Sequence, residues 1–307
     1  MITGVCLNPC IDKTVKIERF EYGGLNRILS SRIDGGGKGI HIALGAQKLG
    51  MRGLAIGFIY ESNRHLLTDR LDTADVEYRF VGAPGEIRTN LKIFDEEKST
   101  ITEINEPGPR VSEEMLFSMR ELTRAAAKES RAVVFTGSLP PGAPEDYYQT
   151  LMKDARGVFR VLDAEGEKLK KGLLAKPDLI KPNAYELESL TGKKLSSLDD
   201  LRLAAVHSTG MGAGLCCVTM GAGGALLTDG KRCFYAPRVE VPVLSTVGAG
   251  DSVVCGLLYA LLGGADLGEA LRAGVAAGTA AVMSEGTQLF ERQGFEDMLK
   301  RVQIQEL

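Results

Sequence analysis

Short apolar runs alternate with longer segments of helical period along most of this chain. Runs at Gly4–Leu7, Leu54–Phe58, Val133–Thr136, Phe159–Leu162, Leu179–Lys181, Leu215–Val218 and Ala225–Thr228 are short enough to read as buried strands. Between them, helical spacing falls at Ile40–Leu49, Glu113–Glu129, Glu145–Ala155, Ala184–Leu190 and Leu198–His207. Strands that are apolar throughout, alternating with helices, belong to a mainly parallel sheet with helices on both faces. The last third adds helices at about Asp251–Leu262 and Leu267–Ser284, and a short one around Gly294–Val302. A length of 307 residues suits one large α/β domain with a small appendage.

Two regions break this rhythm. Asp12–Phe20 and Arg88–Asn105 alternate apolar and polar residues with little helical period. Val15 and Ile17 fit one face, and Leu91 and Ile93 another. These regions read as antiparallel strands with one wet face, able to pair into a small sheet beside the main one.

The net charge of −3 provides no basic field for nucleic acid or anionic lipid, so neither is expected as a partner. No run of 18 apolar residues offers a membrane span, and Met1–Leu7 lacks the basic start of a secretory signal. The six cysteines form no C-x-x-C pair and mostly sit in apolar segments. Reduced, buried thiols in a cytoplasmic protein are the expectation. Cys6 and Cys10 as metal ligands would need two more partners from only three histidines.

The usual nucleotide signatures G-x-x-x-x-G-K-[ST] and G-x-G-x-x-G before a helix are absent. Ser245-Thr246-Val247-Gly248-Ala249-Gly250-Asp251 instead precedes an apolar helix. Glycines there let backbone N–H groups converge on an anion, and Asp251 in the first turn could take the proton of an attacking hydroxyl. A plain N-cap explains Asp251 equally well. A second loop, Asp34–Gly39, places four glycines and Lys38 before a helix. A third, Thr136-Gly137-Ser138-Leu139-Pro140-Pro141-Gly142, ends a buried strand, where open α/β sheets bind ligands. In Lys181-Pro182-Asn183-Ala184-Tyr185-Glu186, Asn183 and Glu186 could support a hydrated Mg²⁺, although a helix cap uses the same residues.

Taken in order, Asn8-Pro9-x-x-Asp12, Gly35–Gly39, Arg88-Thr89-Asn90, Thr136–Gly142, Lys181–Glu186, Thr219-x-Gly221-x-x-Gly224 and Val247–Asp251 resemble the ribokinase-like carbohydrate kinases of the phosphofructokinase B type. The resemblance covers nearly the whole chain. It implies one domain over 1–307, with a small β lid formed by about 12–32 and 88–105. It implies Asp251 as the base, with Gly248, Ala249 and Gly250 as the anion hole. Asp12, Gly36 and Gly37 would hold sugar hydroxyls, with His41 and Asn90 in the same pocket. Lys38, Arg88 and Ser138, joined by Arg27, would hold a phosphate already on the substrate. Asn183 and Glu186, near Lys181, would organise ATP and Mg²⁺, while Thr219, Gly221 and Gly224 line the nucleotide. The small-residue helix Ala273–Ala281 would leave room for adenine, or serve close helix packing. A homodimer through the lid is also implied.

The forms Gly85–Ile93 and Thr102–Pro109 resemble 1-phosphofructokinase, so fructose 1-phosphate is the expected substrate and tagatose 6-phosphate the alternative. A non-catalytic sugar-phosphate or nucleotide sensor can share such a fold. A nucleoside or vitamin kinase can too, but it would not need Lys38 and Arg88 for a second phosphate. Three departures stand out. His41 replaces the family's usual Asn, Tyr60–Arg64 replaces a glycine-rich turn, and Ser245 stands where relatives carry an acidic residue near a monovalent-cation site. They leave sugar identity and potassium dependence open.

Overall fold

The computed structural model describes residues 1–307 apart from Glu285 and Thr287. Its strands are β1 Ile2–Cys6, β2 Cys10–Ile17, β3 Ser30–Gly36, β4 Gly53–Tyr60, β5 Glu77–Ala83, β6 Arg88–Asp95, β7 Thr100–Asn105, β8 Ala132–Thr136, β9 Phe159–Asp163, β10 Leu179–Ile180, β11 Leu215–Thr219, β12 Ala225–Thr228, β13 Cys233–Ala236 and β14 Gln305–Glu306. Its helices are α1 Lys38–Lys48, α2 His65–Thr73, α3 Glu113–Glu129, α4 Tyr147–Asp154, α5 Gly166–Leu173, α6 Ala184–Thr191, α7 Leu198–Gly210, α8 Ala249–Leu262, α9 Leu267–Val282 and α10 Arg292–Leu299.

The main sheet has ten strands in the order β14-β13-β12-β11-β10-β9-β8-β1-β4-β5. From β5 to β11 every pairing is parallel; β12, β13 and β14 add on antiparallel. The chain starts at β1 in the middle, builds outward through β4 and β5, then returns to lay β8 on the other side of β1. That reversal opens a crevice beyond the carboxyl ends of β1 and β8, the place where open α/β sheets bind ligands. The mainly parallel α/β sheet expected from the pattern is the one observed.

The small second sheet runs β3-β2-β6-β7. One expectation is corrected here. The two alternating regions meet through β2 and β6, which pair parallel, not antiparallel. The cause is topological: β2 follows β1 and β6 follows β5, two parallel strands, so both leave the main sheet in the same direction. Antiparallel hairpin partners, β3 and β7, then flank them.

Helices α8 and α9 pack very closely. A Cβ on Gly256 would lie 2.2 Å from the Ala273 carbonyl oxygen, and one on Gly278 would lie 2.6 Å from Val253 Cγ2. Of the two readings of the small-residue run Ala273–Ala281, this contact supports helix packing. All six cysteines are buried and unpaired. No helix among the described residues is long and apolar enough to cross a membrane.

Candidate active site

A cavity of about 550 Å³ occupies the crevice. One wall is the inner face of the small sheet; the floor is the ends of β1, β8 and β9; the far side is the N-terminus of α8. Four buried side-chain atoms lack a hydrogen-bond partner among the described residues. Three of them, His41 Nε2, Arg88 Nε and Asn90 Oδ1, belong to residues that line this cavity. Buried polar atoms are rarely left unpaired, so their concentration here marks a surface built for polar contacts with something else.

At the α8 end, Gly248 takes a left-handed φ of 78° as N-cap. The amides of the first helical turn have no carbonyl partner inside the helix and face the approaching chain. Ala249 N–H is partly engaged, donating to the Thr246 carbonyl at 3.4 Å, which leaves Gly250 as the freer member of the expected anion hole. Asp251 is buried in that first turn and accepts no cap bond, so the plain capping reading does not describe it. Its Oδ2 lies 2.8 Å from His41 Nδ1.

Sequence reasoning missed Asp163. The strands β8, β9 and β10 end side by side, so Thr136, Asp163 and Lys181 fall in one row. Thr136 Oγ1 donates to Asp163 Oδ2 at 2.9 Å, Lys181 Nζ lies 3.1 Å from Oδ1, and Lys38 Nζ lies 3.4 Å from Oδ2. Burial alone pushes the Asp163 carboxyl up, yet Lys181 and Lys38 outweigh it and hold that carboxyl well below the usual carboxylate range. The same carboxylate, acting against burial, holds the Lys38 ammonium above its ordinary value. Lys181 Nζ also lies 3.3 Å from where a Cβ on Gly250 would sit, beside the α8 amides. Asp163 therefore anchors two cations at the edge of an anion-binding turn. Its place at the carboxyl end of an expected strand was the available signal.

Residues at i, i+2 and i+4 of a strand share a face, so Arg88, Asn90 and Lys92 all point from β6 into the cavity. Asn90 Nδ2 donates to Asp12 Oδ1 at 3.2 Å, and Lys92 Nζ lies 3.4 Å from the same oxygen. Lys92 is a second lining residue without an expected role. Gly36 faces Asp12 and His41: a Cβ there would sit 3.4 Å from both Asp12 Oδ2 and His41 Nε2. Gly37 lines the cavity where the chain enters α1 with φ 132°. Arg88 donates from Nη1 to the Glu106 carbonyl at 2.8 Å, and from Nη2 to the Asn8 carbonyl at 3.3 Å and Ser138 Oγ at 3.4 Å. Asn8 Nδ2 also donates to Ser138 Oγ, at 3.1 Å.

Asn183 and Glu186 form a reciprocal capping box at the start of α6, each bond 2.8 Å. Asn183 is spent on the cap, while Glu186 also lines the cavity. Thr219 stands beside Asn183 through an isolated parallel bridge, and Gly221 and Gly224 follow in a short turn. These three lie outside the cavity lining. Arg27 is not brought to the cavity of this chain. It sits exposed in the connection between β2 and β3. Nor do residues 60–64 line the cavity. Asn63 instead takes the Ile87 N–H at 2.8 Å and donates to its carbonyl at 3.1 Å, fixing the backbone just before Arg88.

The comparisons agree with this geometry. The family model described as pfkB family carbohydrate kinase matches residues 1–293. A 1-phosphofructokinase of Rhodobacter capsulatus is 35% identical over 291 residues, covering 94% of this chain and 92% of that protein. A tagatose-6-phosphate kinase of Staphylococcus epidermidis is 26% identical over 312 residues and the full length of both. The phosphofructokinase-2 of Escherichia coli, solved with substrates and products, superposes with a TM-score of 0.90 at 30% identity over 98% of each chain. That protein has also been solved in complex with potassium and in a tetrameric inhibited form. With an α8 turn that carries a buried carboxylate, a cation-rich cavity and these relatives, the chain belongs to the pfkB family carbohydrate kinases and is an ATP-dependent kinase of sugar phosphates.

Proposed function

We propose that the chain converts fructose 1-phosphate to fructose 1,6-bisphosphate. The observation that carries this is the division of the cavity into two anion ends. Arg88, with its unpaired buried Nε, stands beside Ser138 at one end, and the α8 turn with Lys181 stands at the other. A neutral sugar would need only the second; a sugar phosphate uses both.

The substrate's own phosphate would sit on Arg88, Ser138 and Lys38, and its hydroxyls on Asp12, Asn90, Gly36 and Gly37. The acceptor hydroxyl then points at Asp251. Its proton moves to the carboxylate, its oxygen bonds to the γ-phosphorus, and the bond from that phosphorus to the ADP oxygen breaks, the electron pair staying on ADP. Gly248–Gly250 amides and Lys181 would stabilise the charge on the transferring group. Thr219, Gly221 and Gly224 would flank the nucleotide.

Mg²⁺ fits modestly. No cluster of three His, Cys, Asp or Glu side chains that could hold a metal occurs among the described residues. Of Asn183 and Glu186, the pair expected to support the ion, only Glu186 offers a carboxylate oxygen not committed to the cap. That suits an ion held mainly by ATP phosphates and water, which neutralises phosphate charge when bound.

The small sheet would act as a lid and as a dimer contact. Its outer face carries a row from Ile33 through Lys13 and Leu91 to Ile104, by strand register. Ile33 and Ile104 are 53% and 55% exposed there. Buried, unpaired thiols support a cytoplasmic location.

ATP turnover against fructose 1-phosphate, fructose 6-phosphate, tagatose 6-phosphate and free fructose tests the reading. The highest kcat/KM should fall on fructose 1-phosphate. A preference for tagatose 6-phosphate would move the chain to the alternative substrate, and a preference for free fructose would sink the two-anion argument.

A further inference from the structure

His41 carries two contacts that phosphate and sugar binding leave unexplained. Its Nδ1 is 2.8 Å from Asp251 Oδ2, with both side chains buried. Its Nε2 is buried without a partner and faces Gly36, across from Asp12 Oδ2. Helix packing sets the pair. A Cβ on Gly45 would lie 2.6 Å from Cys255 Sγ, so the absence of a side chain there lets α1 and α8 approach. His41 and Asp251 each lie one turn N-terminal of that contact, on the same helix faces.

An ionised Asp251 can only accept, so Nδ1 must carry the hydrogen and Nε2 is the bare nitrogen. Nothing among the described residues donates to Asp251 Oδ1 through a side chain, so that oxygen remains for the acceptor hydroxyl.

We propose that His41 is a positioning residue for Asp251. This rests on Asp251 being the base. The Nδ1–H bond fixes the plane of the carboxylate so that Oδ1 meets the hydroxyl in line with the γ-phosphate. During transfer the hydroxyl proton goes to Oδ1 and His41 neither gains nor loses one.

The charged and titratable groups around the pair come from every neighbouring element: Asp12 from β2, Cys6 from β1, Lys38 from α1, Lys181 after β10 and Cys255 within α8. Burial pushes the Cys6 thiol up to about 12 and raises the Cys255 thiol too, so both stay neutral.

The test compares His41→Leu, which removes the donor, with His41→Asn, which offers an amide donor near the Nδ1 position but cannot titrate. His41→Leu should lower kcat roughly 10-fold to 100-fold, leaving the KM for ATP in place. His41→Asn should recover part of that loss. An imidazole NMR signal for His41 in the free enzyme should show hydrogen on Nδ1, and should shift in Asp251→Asn. Native kcat in His41→Leu, no recovery in His41→Asn, or an Nδ1 without hydrogen would each overturn the proposal. Should the Leu variant fail to fold, the Asn variant and the NMR signal still decide it. Should the wild type turn over no phosphosugar, the function reading falls while the NMR arm still reports on the pair.

Discussion

Asp163 and Lys181 form a buried ion pair, Nζ to Oδ1 3.1 Å, with both side chains almost wholly removed from solvent. It joins the ends of β9 and β10 directly beneath the α8 turn. Removing one partner of such a pair leaves an uncompensated buried charge. Asp163→Asn should therefore destabilise the fold by about 3 kcal/mol, measured by urea unfolding at neutral pH. A loss within about 0.5 kcal/mol would mean that Lys181 finds another partner.

The same residue sets a pH dependence. The folded Asp163 carboxyl lies well below its ordinary value, so the unfolded chain binds its proton first as acid is added. Its stabilisation is present above about pH 4 and is lost as the pH falls from there toward the folded value. Acid unfolding of the wild type should steepen in that range, and Asp163→Asn should flatten it. Parallel curves for the two proteins would contradict the assignment.

Asp251→Asn removes the proton acceptor while keeping the side chain's shape. General-base assistance contributes roughly 10²–10⁴-fold. The expected result is a kcat lower by that order with ATP still bound, read by steady-state kinetics and nucleotide titration. Near-native kcat would take the base role from Asp251.

Much of this architecture was legible because burial dictates it. Continuous apolar runs such as Val133–Thr136 can only be interior strands, and the glycine turns mark where the backbone must approach a ligand. Other elements were not legible: β5, at the sheet edge, has a mixed pattern of exposure, and α5 carries Glu167, Lys168, Lys170 and Lys171 on a short helix. Asp163 escaped because its importance lies in where three strand ends meet, which no local pattern encodes. His41 could be flagged as a departure, but its contact with Asp251 spans 210 residues of sequence. The register of Ile101 opposite Phe94 puts it on the other side of the small sheet from Leu91 and Ile93.

Arg88 tests the substrate's phosphate. Three of its contacts are to protein oxygens, and the buried Nε is unpaired. A hydrogen bond to a charged group contributes about 1.5–3 kcal/mol. Arg88→Ala should raise the KM for the phosphosugar by roughly tenfold or more and leave that for ATP within about twofold. Equal rises for both substrates would place Arg88 in the scaffold instead.

The assembly prediction needs different residues from those the sequence pattern offered. Val15, Ile17 and Ile93 already pack together with Phe20 and Leu91 inside one chain, so changing them would disturb the small sheet itself. Ile33 and Ile104 lie on the same face but stay exposed, at opposite ends of one cross-strand row. A symmetric partner laid across that row would bury both, since a two-fold contact uses one patch twice. Ile33→Asp and Ile104→Asp should each give a monomer in analytical ultracentrifugation at tens of micromolar, where the wild type should sediment as a dimer. The sugar KM should rise more than the ATP KM, because the opposite face of the same sheet carries Asp12, Asn90 and Lys92, on the neighbouring strands β2 and β6. A monomeric wild type with full activity would leave the sheet as a flap that works within one chain.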